Sequence, residues 1–393
     1  MRGCHPKVSN VTFVEDIWRK RFSAVLEQLK KVVNGVVKGP LSGVRVVEFA
    51  SIGPGPHCAM LLSDLGAEVL RIDKEGGNGW SNAIVDRGRP TKFVDICTDS
   101  GREFCLEACT KADVVIEGFR PGVMERLGLG PEVLLGRNPR LIYGRVTGWG
   151  QQGPLAHTAG HDINYIALAG ALDAIGEKGR RAVPPLNLVG DFGGGSMLLA
   201  FGIVAALFER EQSALGQVVD AAIVDGVSSL MTFFDGLDKD DRISLDRSEN
   251  MLAGGAPFYR TYYCRDGREV AIGSIETKFY KNLLELIGAP VDLLSAQYDA
   301  SNWTERGEIL GAIFAQRDLA DWVSLLEGKD ACFAPVLRLS EVAEHPHMRA
   351  RCSYVLKNGR VQCAPAPRFS RTPGEVQDAK VADELLKRWR TAG

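Results

Sequence analysis

Val44-Arg-Val-Val-Glu-Phe-Ala50, Pro56-His-Cys-Ala-Met-Leu-Leu-Ser-Asp-Leu-Gly66 and Glu68-Val-Leu-Arg-Ile-Asp73 form the stretch that decides the fold. The outer runs are short, apolar and rich in β-branched residues, as strands are. The middle run carries apolar residues at helical spacing and stops at a glycine. The rhythm continues through Lys92-Phe-Val-Asp-Ile96, a helix over 101–111, Asp113-Val-Val-Ile-Glu117, helices over 122–136 and Leu141-Ile-Tyr-Gly-Arg-Val146. Alternation of this kind predicts an α/β domain built on a parallel, doubly wound sheet. Ligands of such sheets bind beyond the carboxyl ends of the strands. This chain places Ser51-Ile-Gly-Pro-Gly-Pro56, Lys74, Gly118-Phe-Arg120 and Thr147-Gly-Trp-Gly150 there. Gly-Pro-Gly-Pro is not a phosphate fingerprint; it is expected to shape the mouth of a pocket.

Beyond the alternating region lies Gly160-His-Asp-Ile-Asn-Tyr165, and later Asn187-Leu-Val-Gly-Asp-Phe-Gly-Gly-Gly-Ser196. His161 and Asp191 stand 30 residues apart, each at what reads as the entrance of an apolar helix. Helix entrances offer unpaired N–H groups and positive partial charge, which favour an anion. The three glycines are expected to let a ligand approach the backbone. Taken singly, Asp162 and Asp191 read as N-caps and His161 as a turn residue. Taken together, an imidazole and a carboxylate beside an anion site suggest acid–base chemistry on a developing negative charge.

The helix after Gly195 should end near Glu211, and another element should run from Gly216 to about Phe234. Residues 235–250 are charged and read as an exposed connection. From Met251 the texture changes to a hairpin around Asp266-Gly267, followed by helices over 277–287, 305–316 and 318–328. This divides the chain into an extension (1–40), a large domain (41–234), a connection (235–250), a small α+β domain (251–345) and a C-terminal segment (346–393) ending in a helix over 381–391.

The chain has 393 residues, 45% hydrophobic and 24% charged, with a formal net charge of −2. That is ordinary for a globular protein and leaves no nucleic-acid footprint. No uncharged apolar run is of spanning length, so no membrane span is expected. The nine cysteines are scattered without paired metal spacing, which suggests free thiols and no metal. The extension sets eight Lys and Arg residues against three acids, with Trp18, Phe22, Val25, Leu26 and Leu29 on one helical face. It reads equally as a surface helix or as an address for a mitochondrion or peroxisome, with the cytoplasm as alternative. Arg21-Phe22, five residues, then Gln28-Leu29 approximates a peroxisomal signal from which Phe22 departs.

These residues carry a resemblance. Gly160–Tyr165, Pro184–Gly195, Gly216-Gln-Val-Val-Asp-Ala221, Asn250-Met-Leu followed by Gly254-Gly-Ala-Pro-Phe-Tyr259, and Asp330-Ala-Cys332 are similar to motifs of the α-methylacyl-CoA racemases. These belong to the family III CoA-transferase superfamily. The resemblance runs from Leu41 to about residue 370. It implies a Rossmann-like large domain, a smaller domain, and a homodimer of two chains interlinked like rings, with the C-terminal tail returning to the large domain. It implies that His161 and Asp191 are the catalytic acid–base pair, with Glu276 supporting the histidine from the other subunit. It assigns CoA contacts to Lys74, Val94, Arg120, Gly160, Asp162, Ile163, Asn164 and Tyr165, and an oxyanion donor to the backbone N–H of Asp162. No cofactor is implied, CoA being part of the substrate. Arg87, Arg89 and Arg145 are further candidates for phosphate.

The implied reaction interconverts the 2R and 2S forms of a 2-methylacyl-CoA thioester. A weakly acidic α-proton must leave one face and return on the other, which calls for two groups in opposite protonation states. The alternative within the superfamily is a CoA transferase in which Asp191 is a nucleophile forming an acyl anhydride. The histidine distinguishes the two, since transferases usually lack it. The sequence departs from the racemase pattern at Ala253, Thr277, Lys278 and Ala214-Leu215, which touches substrate preference more than reaction type.

Overall fold

The structure is a computed structural model that describes residues 39–177, 179–247, 249–378 and 381–391. Residues 1–38 of the extension, and with them the basic helix expected there, lie outside the described residues. Six strands form one sheet: β1 (Arg45–Phe49), β2 (Glu68–Asp73), β3 (Thr91–Phe93), β4 (Val114–Glu117), β5 (Ile142–Thr147) and β6 (Val218–Ala222). Their order is β3-β2-β1-β4-β5-β6 and every pairing is parallel. Val46 sits opposite Val69 on one side and Val114 on the other. The order reverses between β1 and β4, which is where an open α/β sheet leaves a crevice.

Both faces of the sheet are covered, so its strands read as nearly continuous apolar runs. On one face Val46, Val69, Val114 and Ile142 meet α1 (Pro54–Asp64). On the other face Val47, Leu70, Val115 and Tyr143 meet α2 (Asp99–Thr110), α3 (Val123–Arg126) and α4 (Pro131–Arg137). The single helical run expected over 122–136 is thus two short helices, broken at Gly128-Leu-Gly130-Pro131. The C-terminal helix Ala382–Thr391 returns to this second face. It buries Leu385, Leu386 and Trp389, and the Trp389 Nε1–H donates to Glu68 at 2.8 Å.

After β5 the chain forms α5 (Asp162–Leu168), a π-helix (Leu188–Met197), α6 (Leu198–Ser213), α7 (Ile223–Leu230) and α8 (Thr232–Lys239). The π-helix runs straight into α6. Together they make one apolar run, Leu188–Ser213, long and apolar enough to cross a membrane by length and composition. Here its inner face, through Leu199, Ile203 and Ala206, packs on the sheet. Helix α8 extends to Lys239, so the connection expected over 235–250 is shorter than the charge pattern suggested.

A second core gathers Phe258, Tyr262, Val270, Tyr280, Phe314 and Trp322. It joins a three-stranded antiparallel sheet of β7 (Tyr259–Tyr263), β8 (Glu269–Gly273) and β9 (Phe333–Pro335) to α9 (Thr277–Ile287), α10 (Trp303–Phe314) and α11 (Leu319–Leu326). The Asp-Gly hairpin is present, while β9 carries no signal of its own beyond three residues. A further hairpin, β10 (Tyr354–Lys357) with β11 (Arg360–Cys363), turns on Asn358 and Gly359, both at positive φ.

Candidate active site

The switch point between β1 and β4 opens into a cleft of about 800 Å³. Its walls include Ser51 to Pro54 after β1, Gly118 to Pro121 after β4, and Thr147 to Trp149 after β5. Gly160, His161, Tyr165, Asn187 and Asp191 complete it. A second cavity of about 460 Å³ adjoins it across Ser51, Ile52, Gly118 and Phe119, and holds Lys74 and Val94. The parallel sheet therefore collects His161, Asp191, Arg120, Gly160 and Tyr165 in one cleft, with Lys74 and Val94 next door. Ile163 and Asn164 line neither; Ile163 is exposed on α5, and Asn164 accepts the His161 backbone N–H at 3.0 Å.

His161 is the N-cap of α5 and is exposed. The caps are thus not the aspartates. Asp162 occupies the first helical position, where its own N–H has no carbonyl behind it. Its carboxylate is buried and accepts the backbone N–H of Asp191 at 2.7 Å. A Cβ at Gly190 would fall 2.2 Å from the same oxygen, so only glycine allows this approach. Asp162 therefore ties α5 to the π-helix and fixes His161 and Asp191 relative to one another.

Asp191 lies in the first turn of the π-helix, half-buried, and accepts from Asn187 Nδ2 at 3.1 Å. Burial raises its carboxyl above the ordinary range; the Asn187 bond opposes this, Asp162 adds to it, and the neighbouring His161 opposes it. A carboxyl so placed holds a proton more readily than a solvated one, which suits it to return a proton as well as take one. Nothing in the sequence assigns Asn187 a role. Its only signal is the spacing of four residues before Asp191, which one helical turn brings together.

The glycines answer a different need from the one expected. Gly194 and Gly195 are buried, and a Cβ on either would strike α7 or Pro54 within 3.0 Å. They admit two neighbouring helices, α7 and the start of α1, not a ligand. A π-helix places one extra residue in each turn, and such turns recur at functional sites. Ser196, just beyond, shares a 2.7 Å hydrogen bond with His57 Nδ1 on α1, and Phe192 lies 4.7 Å from the His57 ring. At Gly148 and Gly160 the close neighbour is the Tyr165 ring.

Three basic candidates are excluded as phosphate ligands. Arg87 is buried against Asp64, and Arg89 against Glu48. Arg145 is buried between Glu117 and Glu125, at 3.0 and 2.9 Å. Each is an internal ion pair, because a buried cation needs a carboxylate more than a distant ligand. Arg120 differs: it is exposed, lines the cleft, and among the described residues has no ion-pair partner. Glu276 is the exposed N-cap of α9 on the second core, near Cys332 and Lys278, and does not line the cleft of its own chain.

Burial pushes the Glu117 carboxyl up to about 7, from an ordinary 4.5, against the pull of Arg145. Its folded value lies above its unfolded one. The stability it lends is therefore full below the unfolded value and is lost as pH rises through the folded one. We expect wild type to lose on the order of 3 kcal/mol relative to Glu117→Gln between about pH 5 and about pH 8. Urea unfolding of both proteins at the two pH values measures this; a constant difference would contradict it.

The model of CoA-transferase family III matches residues 41–380. The chain is 43% identical over 341 residues to the alpha-methylacyl-CoA racemase of Mus musculus, covering 86% of this chain and 89% of that one. It is 42% identical over 337 residues to the protein of the same name from Homo sapiens, covering 85% and 87%. The crystal structure of a CAIB/BAIF family protein from Brucella suis shares the fold, with a TM-score of 0.77 at 24% identity, over 91% of this chain and 100% of that one. By the extent of the match and the identity of these relatives, the chain belongs to CoA-transferase family III.

Proposed function

We propose that the protein racemises 2-methylacyl-CoA thioesters at the cleft that holds His161 and Asp191. The observation that carries this reading is the pair itself. An imidazole and a half-buried carboxylate share one cleft, are locked together through Asp162, and the carboxylate feels the charge of the imidazole. The similarity to two alpha-methylacyl-CoA racemases supports the same reading. His161 takes the C2 proton from one face, the electron pair moves onto the thioester oxygen, and Asp191, protonated, returns a proton to C2 from the other face. The reverse reaction exchanges the roles. The Asp162 N–H at the start of α5 faces the developing oxyanion. The cavity of Lys74 and Val94 takes the nucleotide end of CoA, and Arg120 takes a phosphate. No separate cofactor takes part. The test is one enantiomer of the thioester incubated with and without an acceptor carboxylic acid. Loss of optical purity in both tubes supports the racemase; CoA transfer that needs the acid would make Asp191 a nucleophile instead.

The active form is proposed to be an interlinked homodimer. Met197, Phe201, Val204 and Phe208 form an exposed apolar stripe along the run through α6, spaced as one helical face. Glu276, exposed and outside its own chain's cleft, would then reach His161 of the second copy. Light scattering at assay concentration should report a dimer; an active monomer would overturn both the assembly and the role of Glu276.

A further inference from the structure

We infer that Arg145 is a positioning residue for substrate, acting through the turn that carries Arg120. This rests on the acyl-CoA reading given above. Glu117 ends β4, and Gly118-Phe119-Arg120 follows at once. One Glu117 oxygen accepts the Phe119 N–H at 2.8 Å, closing the turn on itself. The other accepts Arg145 Nε at 3.0 Å, from the register partner on β5. The far end of the same guanidinium donates to Glu125 on α3 at 2.9 Å. A single fork thus holds both ends of the segment 117–125, with Arg120 between them. Within that segment the Val123 N–H donates to the Arg120 carbonyl at 3.1 Å, and Gly122 takes a positive φ of 80°. The backbone under Arg120 is fixed on both sides, while its exposed side chain has no ion-pair partner among the described residues.

Arg145 does not reach the ligand. It is 5% exposed and lines neither cavity. Burying a cation between two carboxylates is seldom the most stabilising use of a position, and apolar replacements of similar volume are often as stable. What the fork supplies is fixed geometry, which an ammonium does not reproduce. The loop it fixes is also the wall between the two cavities, since Gly118 and Phe119 line both. Arg120 therefore meets substrate at a set distance from His161 and Asp191.

The experiment is a double-mutant cycle on the full-length protein, with two substrates. One is a 2-methylacyl-CoA; the other is the same acyl group on pantetheine, which has no phosphate. Arg120→Ala should raise KM for the CoA thioester about tenfold with kcat nearly unchanged, as for loss of one charge-assisted hydrogen bond. Arg145→Met should do the same, and should add little in the Arg120→Ala background. Neither change should move KM for the pantetheine thioester. Glu125→Gln removes one end of the fork at an exposed carboxylate and decides the matter if Arg145→Met fails to fold. It should raise KM for the CoA thioester about threefold, and only when Arg120 is present. Additive effects, or equal losses on both thioesters, would overturn the inference and leave Arg145 a structural ion pair. Absence of racemisation by wild type on the CoA thioester would instead sink the functional reading itself.

Discussion

Replacing His161 with alanine should lower interconversion of the two enantiomers by about a thousandfold or more, within the range general acid–base groups supply. The loss should be one-sided at the level of proton exchange. On the proposed mechanism, with the assignment the family resemblance implies, His161 would serve the 2S thioester and Asp191 the 2R. With His161 gone, Asp191 still removes the C2 proton of the 2R form and returns a solvent deuteron to the same face. Exchange with retention should therefore persist on 2R and vanish on 2S. Asp191→Asn should show the converse. The reason lies in the structure: Asp162 holds the two groups from opposite ends, through α5 and through the Asp191 N–H, so deleting one side chain leaves the other in place. NMR in deuterated water, one enantiomer at a time, reads the exchange. Interconversion by His161→Ala at near wild-type rate would show that no second base is needed, and Asp191 would have to be reconsidered as a nucleophile.

The second large effect concerns the fold beneath the site. A Cβ on Gly226 would stand 2.0 Å from the carbonyl oxygen of Gly194, so α7 and the π-helix touch backbone to backbone. Gly226→Val should cost about 3–5 kcal/mol, because neither partner is a flexible side chain that can swing away. Whatever remains folded should be inactive, since the displaced π-helix carries Asp191. Gly236, in α8, has nothing within 4 Å of a built Cβ and serves as the control. There Gly→Ala should leave stability unchanged or raise it by up to about 1 kcal/mol. Urea midpoints compare the three proteins. A Gly226→Val midpoint equal to wild type would mean that the two helices are not in contact.

Much of this was legible in the residues. The parallel sheet follows from three apolar runs and the helices between them, because buried parallel strands leave an unbroken apolar signal. The placing of His161 at a helix entrance follows from the polar run before an apolar one. What was not legible depends on partners distant in sequence. Nothing near Arg145 announces that Glu117 and Glu125 enclose it, so a buried ion pair looked like a free cation. Gly193-Gly-Gly195 suggests room for a ligand until α7 and Pro54 are seen to fill it. A π-helix has no propensity of its own, and Leu188–Met197 reads as a loop before an ordinary helix. The Asn358-Gly359 hairpin was within reach, since that dipeptide between two β-rich runs is a strong turn signal.

In the proposed mechanism two bases in one cleft take a proton from one face of C2 and return one to the other. The most direct measurement gives wild-type protein a single enantiomer of a 2-methylacyl-CoA in deuterated water, without any acceptor acid. Chirality and C2 isotope content are followed together from the first turnovers. The opposite enantiomer should appear carrying deuterium at C2, because the group that delivers the proton has exchanged with solvent. Retention of both optical purity and the C2 proton, with CoA moving only when an acid is added, would contradict it.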